Sequence, residues 1–124
     1  MDDGAELELA RTPIAVDLEY QDMNTTVLNG ANFLIGRADR CNLVLPQSFV
    51  SREHALIEVA DGHVTLTDRS STGSWILGSG GQQLELRRET RPLQGAGTIR
   101  LGRSPETGQE APEIAFRVRE ILEQ

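Results

Sequence analysis

The sequence contains no lysine, so each of its 12 basic residues is an arginine. The 19 acidic residues outnumber them, and the chain carries a formal net charge of −7. This balance argues against a general nucleic-acid-binding protein, which presents a basic face, and it disfavours docking on an anionic membrane surface. Every positive charge that remains is a planar guanidinium, which can hold an oxyanion through two parallel N–H donors.

Cysteine and long apolar segments are also scarce. The single cysteine, Cys41, excludes an intrachain disulfide, which is typical of a reducing, cytoplasmic setting. No apolar run approaches the length of a membrane span, and the acidic start of the chain lacks the regions of a signal peptide. Cys41, His54 and His63 do not have metal-ligand spacing, so we expect no metal site and no cofactor.

Short apolar segments of period two dominate the 124 residues, whereas no long stretch has helical periodicity. About ten such segments, separated by turns that contain glycine, predict one all-β domain, an antiparallel sandwich or barrel. Asp61-Gly62 predicts a hairpin over residues 55–68. Its predicted inward-facing residues are Leu56 or Ile57, Val59, Val64 and Leu66. We expect a polar loop over residues 103–112, whereas "RVREILEQ" at the end predicts either a short helix or an extension of the last strand.

Three segments with distinctive chemistry stand at predicted strand ends. "FLIGR" ends in Arg37, "VSREH" carries Ser51 and His54, and "SSTGS" (70–74) has a hydroxyl on four of its five residues. Taken singly, they predict only an exposed arginine, a loop-fastening histidine and a turn. Because loops cluster at the two ends of a sandwich, together they predict a site with a forked cation and several hydroxyl donors, which suits a phosphate dianion. A hydrolase with Ser51 as nucleophile and His54 as base is a weaker alternative, since no oxyanion hole or orienting acid accompanies them.

The order of these motifs resembles the forkhead-associated (FHA) domain. "GR", "NLVLP", "SREH", an apolar hairpin, "DRSSTGS" and "PLQGAGTIRLG" follow one another as in that family, over residues 13–119. The resemblance implies an antiparallel β-sandwich of about eleven strands with recognition loops at one end, between an acidic N-terminal tail (1–12) and a C-terminal tail (120–124). It also implies a signalling module, not an enzyme, that binds phosphothreonine in a partner protein.

The resemblance further implies roles for individual residues. Arg37 and Ser51 would contact the phosphate, and Ser71 stands beside them in the third loop. His54 would fasten the recognition loops, while Gly36 and Gly73 would allow sharp backbone turns. The implied phosphopeptide-binding residues are Arg37, Ser51, Arg52, Ser71 and Thr72. We also expect Arg37, Arg40, Arg52 and Arg69 to form a positive area on a negative molecule.

The sequence departs from the family pattern at two positions. Thr72 replaces the asparagine whose amide holds the peptide main chain in the family, and Leu77 replaces a second asparagine. Two functions therefore stay open: phosphothreonine-dependent binding, or an FHA-like assembly module that does not need phosphate. Phe49, before Ser51, packs either on a partner or back into the sandwich.

Two further features bear on partners. "LELRRET" followed by "PLQGAGTIRLG" resembles FHA domains attached to bacterial class III nucleotide cyclases, which implies a cyclase domain or its regulator as partner, although an exposed charged strand explains "LRRE" equally well. An exposed sheet edge could pair two copies of the chain, but the sequence does not locate the edges.

Overall fold

The computed structural model describes residues 13–121, which form eleven β-strands and one short 3₁₀ helix. The tail predicted for residues 1–12 and the last three residues of the predicted C-terminal tail lie outside the described residues. Within the described part, no helix is long and apolar enough to cross a membrane.

The strands form two packed sheets. The six-stranded sheet has the order β2-β1-β11-β10-β7-β8 and the five-stranded sheet the order β4-β3-β5-β6-β9. The strands of the first sheet are β1 (Ile14–Tyr20), β2 (Met23–Leu28), β7 (Ser74–Gly78), β8 (Gln83–Leu86), β10 (Ala96–Leu101) and β11 (Glu113–Glu120). Those of the second are β3 (Asn32–Gly36), β4 (Leu43–Val44), β5 (Ala55–Ala60), β6 (His63–Asp68) and β9 (Thr90–Pro92). Only the short β3–β4 pair is parallel, so the predicted antiparallel sandwich of about eleven strands is confirmed.

The hairpin predicted at Asp61-Gly62 joins β5 to β6. Both turn residues have positive φ angles, 54° and 77°, as the tight turn of a two-residue hairpin requires. Of the two candidates for the inward-facing position, Ile57 is fully buried and Leu56 is not. Ile57, Val59, Val64 and Leu66 face the other sheet, each at most 2% exposed, and form part of the core between the sheets.

The structure settles what the C-terminal segment and the predicted polar loop form. β11 continues to Glu120 because residues 115–120 pair with β1, so the segment extends the last strand up to that residue. The loop between β10 and β11 contains the 3₁₀ helix Pro105–Thr107. Ser104 caps its start, and Gly108 ends it in the left-handed conformation.

Four loops meet at one end of the sandwich: β3–β4 (37–42), β4–β5 (45–54), β6–β7 (69–73) and β10–β11 (102–112). Main-chain hydrogen bonds join them in sequence. Arg37 N donates to Ser51 O (3.0 Å), Arg69 N to His54 O (2.8 Å) and Gly102 N to Gly73 O (3.0 Å). The segments singled out by the sequence therefore lie in neighbouring loops at one end of the sandwich.

Candidate functional site

The end of β3 passes very close to the β4–β5 loop, and Gly36 permits this. A Cβ at Gly36 would overlap the Arg52 carbonyl and lie 2.9 Å from His54 N. Only glycine has room for this approach of two main chains. Next to it, Arg37 N and Ala38 N donate to the carbonyls of Ser51 and Arg52, at 3.0 Å each. The main chain thus places Arg37 beside Ser51.

The Arg37 side chain is exposed and held in place by one contact. Its Nε donates to the Val50 carbonyl at 2.8 Å. Of the carboxylates in the described residues, none forms an ion pair with this guanidinium, whereas Arg40 and Arg69 both pair with Glu53. The two terminal nitrogens of Arg37 therefore remain as a forked donor for an external anion.

Ser51 and Ser71 meet across two loops. Ser71 N donates to Ser51 Oγ at 3.1 Å, and the two Oγ atoms are 3.5 Å apart. Since Ser51 Oγ accepts the main-chain bond, its own hydroxyl hydrogen is available to donate. Ser71 is exposed. With Arg37, these serines provide a cation and two hydroxyl groups at one end of the sandwich, the donor set that an oxyanion requires.

His54 lies beneath this opening and is fully buried. Its Nδ1 accepts from Ser51 N at 3.0 Å, so its Nε2 carries the hydrogen and donates to the Gly73 carbonyl at 2.9 Å. Burial lowers the pKa of His54 below its ordinary value, although the Gly73 carbonyl and the charge of Asp68 oppose this shift. Through these two bonds the neutral ring joins the β4–β5 loop to the β6–β7 loop. It contacts the main chain of Ser51, not the hydroxyl that it would have to activate in a hydrolase.

Asp68 is a further structural residue of the site. This buried carboxylate accepts from Ser70 Oγ (2.7 Å), Ser74 Oγ (2.6 Å) and Arg88 N (2.9 Å). Ser70 Oγ in turn accepts from Gly73 N at 2.7 Å. This network fixes the β6–β7 loop and so presents Ser71 to the outside. The sequence analysis missed Asp68, although an aspartate two positions before a serine-rich turn is a residue type that commonly stabilises turns by hydrogen bonding.

Thr72 is turned toward the neighbouring loop. Its hydroxyl, half-buried, donates to the Phe49 carbonyl at 2.9 Å. The Phe49 ring is also half-buried, with the Arg103 guanidinium 4.0 Å above its centroid. Gly102 lies against the same ring, where a Cβ would meet the Phe49 carbonyl at 2.9 Å. Thr72 and Phe49 therefore join three of the recognition loops.

The predicted arginine cluster contains an acidic residue. Glu53 pairs with Arg40 (2.5 Å) and with Arg69 (3.4 Å). The bond from Arg40 and the nearby positive charges lower the pKa of Glu53. Arg52 is exposed and makes no ion pair within the described residues. Glu53 therefore compensates part of the positive charge, and the arginines left for an external anion are Arg37 and Arg52.

Two of three comparisons with known proteins found similar proteins. A model of the FHA domain matches residues 33–102 of the chain. No curated protein matches it.

Solved structures similar to the chain include the FHA-1 domain of Mycobacterium tuberculosis Rv1747. Its TM-score is 0.66 at 20% identity, over 86% of this chain and 97% of that one. The MEK1 FHA domain in complex with a phosphothreonine peptide of HOP1 has a TM-score of 0.65 at 20% identity, over 85% and 97% of the two chains. The N-terminal FHA domain of S. cerevisiae Rad53p in complex with a phosphothreonine peptide has a TM-score of 0.63 at 18% identity, over 85% and 94%.

Proposed function

The chain belongs to the FHA domain family, and on this premise we propose that it is a phosphothreonine-dependent interaction module for signalling or regulation. It binds a phosphorylated segment of a partner protein and catalyses no reaction. It needs no cofactor, and neither nucleic acid nor an inserted membrane segment is part of the proposal.

One observation carries the proposal: Arg37, Ser51 and Ser71 meet at one end of the sandwich, and the Arg37 fork has no carboxylate partner within the described residues. A phosphothreonine carries a charge of about −1.5 to −2 and three acceptor oxygens at neutral pH. Arg37 supplies charge-assisted bonds worth roughly 1.5–3 kcal/mol net, whereas a neutral serine bond contributes about half as much. Arg37 is therefore the residue on which affinity depends most.

Arg52, Ser71 and Thr72 differ in what they can offer the peptide. Arg52 is exposed and free to add positive potential or contact a flanking acidic residue. Ser71 is exposed and lies at the opening. Thr72 already donates its hydroxyl to Phe49, so its contribution is to hold the loop. Gly36, His54 and Gly73 support the site through the main chain.

The relatives support phosphothreonine as the ligand. The MEK1 and Rad53p domains were solved with phosphothreonine peptides, and both share the sandwich of this chain. The second candidate, an assembly module independent of phosphate, is favoured by one observation: the position of the family's peptide-holding asparagine is taken by Thr72, whose hydroxyl is engaged inside the protein. The two candidates differ in whether a phosphate group changes binding.

Titration with matched threonine and phosphothreonine peptide libraries tests the proposal. We expect a preference for the phosphorylated set. In the Arg37→Ala variant, affinity for the peptides selected should fall about tenfold to a hundredfold, which corresponds to the 1.5–3 kcal/mol above.

Arg40→Ala is the matched control, because Arg40 is an exposed arginine of the same loop that is already paired with Glu53. Its effect should be much smaller than that of Arg37→Ala. Equal binding of both peptide sets by the wild type would overturn the proposal and favour the assembly module.

Three narrower proposals concern the limits of the domain, its location in the cell and a cyclase partner. We infer a domain over residues 13–119 and a cytoplasmic setting, which the single buried Cys41 supports. A nucleotide cyclase domain or its regulator as partner rests on the resemblance of "LELRRET". In that stretch Arg87 pairs with Glu85, and Glu89 pairs with Arg91, the residue that follows the stretch, both on the surface. Co-purification with a cyclase domain, lost on phosphatase treatment, would support this partner.

A further inference from the structure

The two sheets have four edge strands, and three of them are protected against pairing with another chain. Proteins protect edges with short strands, charges and prolines. β4 has two residues and is followed at once by Leu45-Pro46. β9 has three residues, of which Arg91 is charged and Pro92 lacks an N–H. β8 carries Glu85 and is followed by two arginines.

The fourth edge, β2, has none of these features. Its six residues, Met23 to Leu28, include no charge and no proline. β2 pairs with β1 on one side only, and no other described strand covers its outer side. The N–H and C=O groups of alternate residues therefore point away from the sheet. Leu28, at 52% exposed, is the most exposed large apolar side chain among the described residues.

We propose that β2 pairs with β2 of a second copy of this chain, antiparallel and in a register centred on Thr26. The outcome is a continuous sheet across two protomers. This pairing does not depend on the proposed phosphothreonine binding.

The two faces of the strand restrict the register. The residues of β2 that pair with Val16, Leu18 and Tyr20 face the core side, and the remaining ones, Asn24, Thr26 and Leu28, face outward. Two copies keep both faces continuous only when residues of the same face stand opposite each other. Within β2, a register centred on Thr25 or on Thr26 meets this condition.

The Thr26-centred register is the better of the two. It places Leu28 opposite Asn24, Thr25 opposite Val27 and Thr26 opposite its own copy. Thr–Thr and Thr–Val pairs are favourable cross-strand neighbours, and no like charges meet. A register centred on Thr25 would instead place exposed Leu28 opposite the Asp22 carboxylate.

The pairing would direct the two recognition ends away from each other. Tyr20 and Gln21, beside the start of β2, line a cleft together with Phe49 and Arg103, so the Met23 end of β2 is the recognition end. Antiparallel pairing places these ends at opposite sides of the dimer. If the proposed function holds, one dimer joins two phosphorylated segments that belong to separate partner molecules, because sites at opposite sides of the dimer do not reach one surface together.

The proposed contact between two β2 strands is small, and the net negative charge of each copy opposes it. One pair of five-residue strands buries less than the roughly 1,000 Å² typical of stable interfaces, so the dimer is weak and reversible. Each copy has a net charge of −7, and salt screens the repulsion between exposed charges. Association should therefore strengthen as ionic strength rises from low to physiological.

Sedimentation of the full chain, from low micromolar to millimolar concentration, tests the pairing. We expect a monomer–dimer equilibrium for the wild type. Asn24→Lys/Leu28→Lys and Asn24→Glu/Leu28→Glu should each be monomeric, because each places like charges opposite each other twice. An equal mixture of the two variants should form a heterodimer, since opposite charges then meet in the Thr26-centred register.

Gln83→Lys/Gln94→Lys is the charge-matched control, with two lysines added at exposed positions away from β2. It should associate at least as well as the wild type. A wild type that stays monomeric at every concentration, variants that still dimerise, or a mixture that forms no heterodimer would each overturn the proposal. A phosphopeptide titration of the monomeric variants tests the proposed function separately, because neither substituted residue lies in the site.

Discussion

At the scale of single residues, a substitution at Thr72 tests whether its hydroxyl stabilises the loop or contacts a bound peptide. Thr72→Val keeps the shape of the side chain but removes the hydroxyl that donates to Phe49. We expect the free energy of unfolding to fall by about 1 kcal/mol, the usual worth of one hydrogen bond. Phosphopeptide affinity should change far less than in Arg37→Ala. Urea unfolding and peptide titration measure the two effects.

Thr65→Val is the control for the loss of a half-buried threonine hydroxyl outside the recognition loops. It should leave phosphopeptide affinity unchanged. If Thr72→Val abolished phosphopeptide binding without a loss of stability, Thr72 would contact the peptide directly, as the resemblance to the family implies.

His54 makes stability depend on pH. Its pKa is lowered in the folded protein, so the folded state favours the neutral ring and the unfolded state binds more protons. The stabilisation is complete above the unfolded value of about 6.5 and is lost as pH falls toward the folded pKa. We expect the free energy of unfolding to decrease between pH 7 and pH 5, measured by urea unfolding without peptide.

His54→Gln should remove this part of the pH dependence, whereas exposed His63→Gln should retain it. The measurement stops at pH 5 because the titration of Asp17 affects stability at still lower pH. The pKa of Asp17 is lowered by its bond to Arg119. If the free energy of unfolding depended on pH equally in the wild type and in His54→Gln, His54 would not be the titrating group.

The sequence placed Arg37, Ser51 and His54 in neighbouring loops because their motifs end predicted strands, and strand ends of a sandwich lie together. It could not show that Glu53 pairs with Arg40 and Arg69, because these residues lie 13 and 16 positions apart and their contact depends on loop conformation. The bond from Thr72 to Phe49 spans 23 positions and escapes sequence analysis for the same reason.

At the scale of elements, strands in which apolar and polar residues alternate were predictable from the sequence, whereas strands without this alternation were not. The β5–β6 hairpin follows from Asp61-Gly62 and its flanking apolar residues. β9 has only three residues, none with a buried side chain, so no periodicity marks it. It forms because its main chain pairs with β6, a tertiary contact that a local pattern does not contain.

The buried guanidinium of Arg100 holds the β10–β11 loop in place, so a substitution of this residue should affect the whole loop. Arg100 is 7% exposed, pairs with Glu113 at 2.7 Å and donates to the carbonyls of Arg103 and Gln109. Arg100→Met keeps the apolar stem but removes every donor. We expect the free energy of unfolding to fall by about 1–3 kcal/mol, since the carbonyls of Arg103 and Gln109 and the carboxylate of Glu113 lose their charged donor. Hydrogen exchange should accelerate most at residues 103–111.

Arg119→Met is the matched control, because it removes an exposed ion pair, with Asp17, which is worth little. It should leave exchange in the β10–β11 loop unchanged. Faster exchange spread evenly over all strands in Arg100→Met, with none concentrated in this loop, would contradict a local anchoring role.

At the scale of the whole molecule, a small positive site lies on a strongly negative protein. Under the proposed function, Arg37 and Arg52 would act on a bound phosphate at short range, whereas the net charge of −7 would act on an approaching peptide at long range. Salt at physiological concentration screens exposed charges beyond about 8 Å and affects contacts inside the site much less. The overall charge should therefore influence association more than dissociation.

This separation predicts which phosphopeptides associate fastest. Two peptides share one phosphothreonine and its immediate neighbours, but one carries lysines and the other glutamates at its distant ends. At low salt the lysine peptide should associate faster, because the net charge of the protein attracts it and repels the other. Raising the salt should bring the two association rates together, while the dissociation rates stay similar throughout. Stopped-flow measurements with the monomeric Asn24→Glu/Leu28→Glu variant should enlarge the difference, since its net charge is more negative by two. Equal association rates at low salt would mean that local charges alone govern the approach of the peptide.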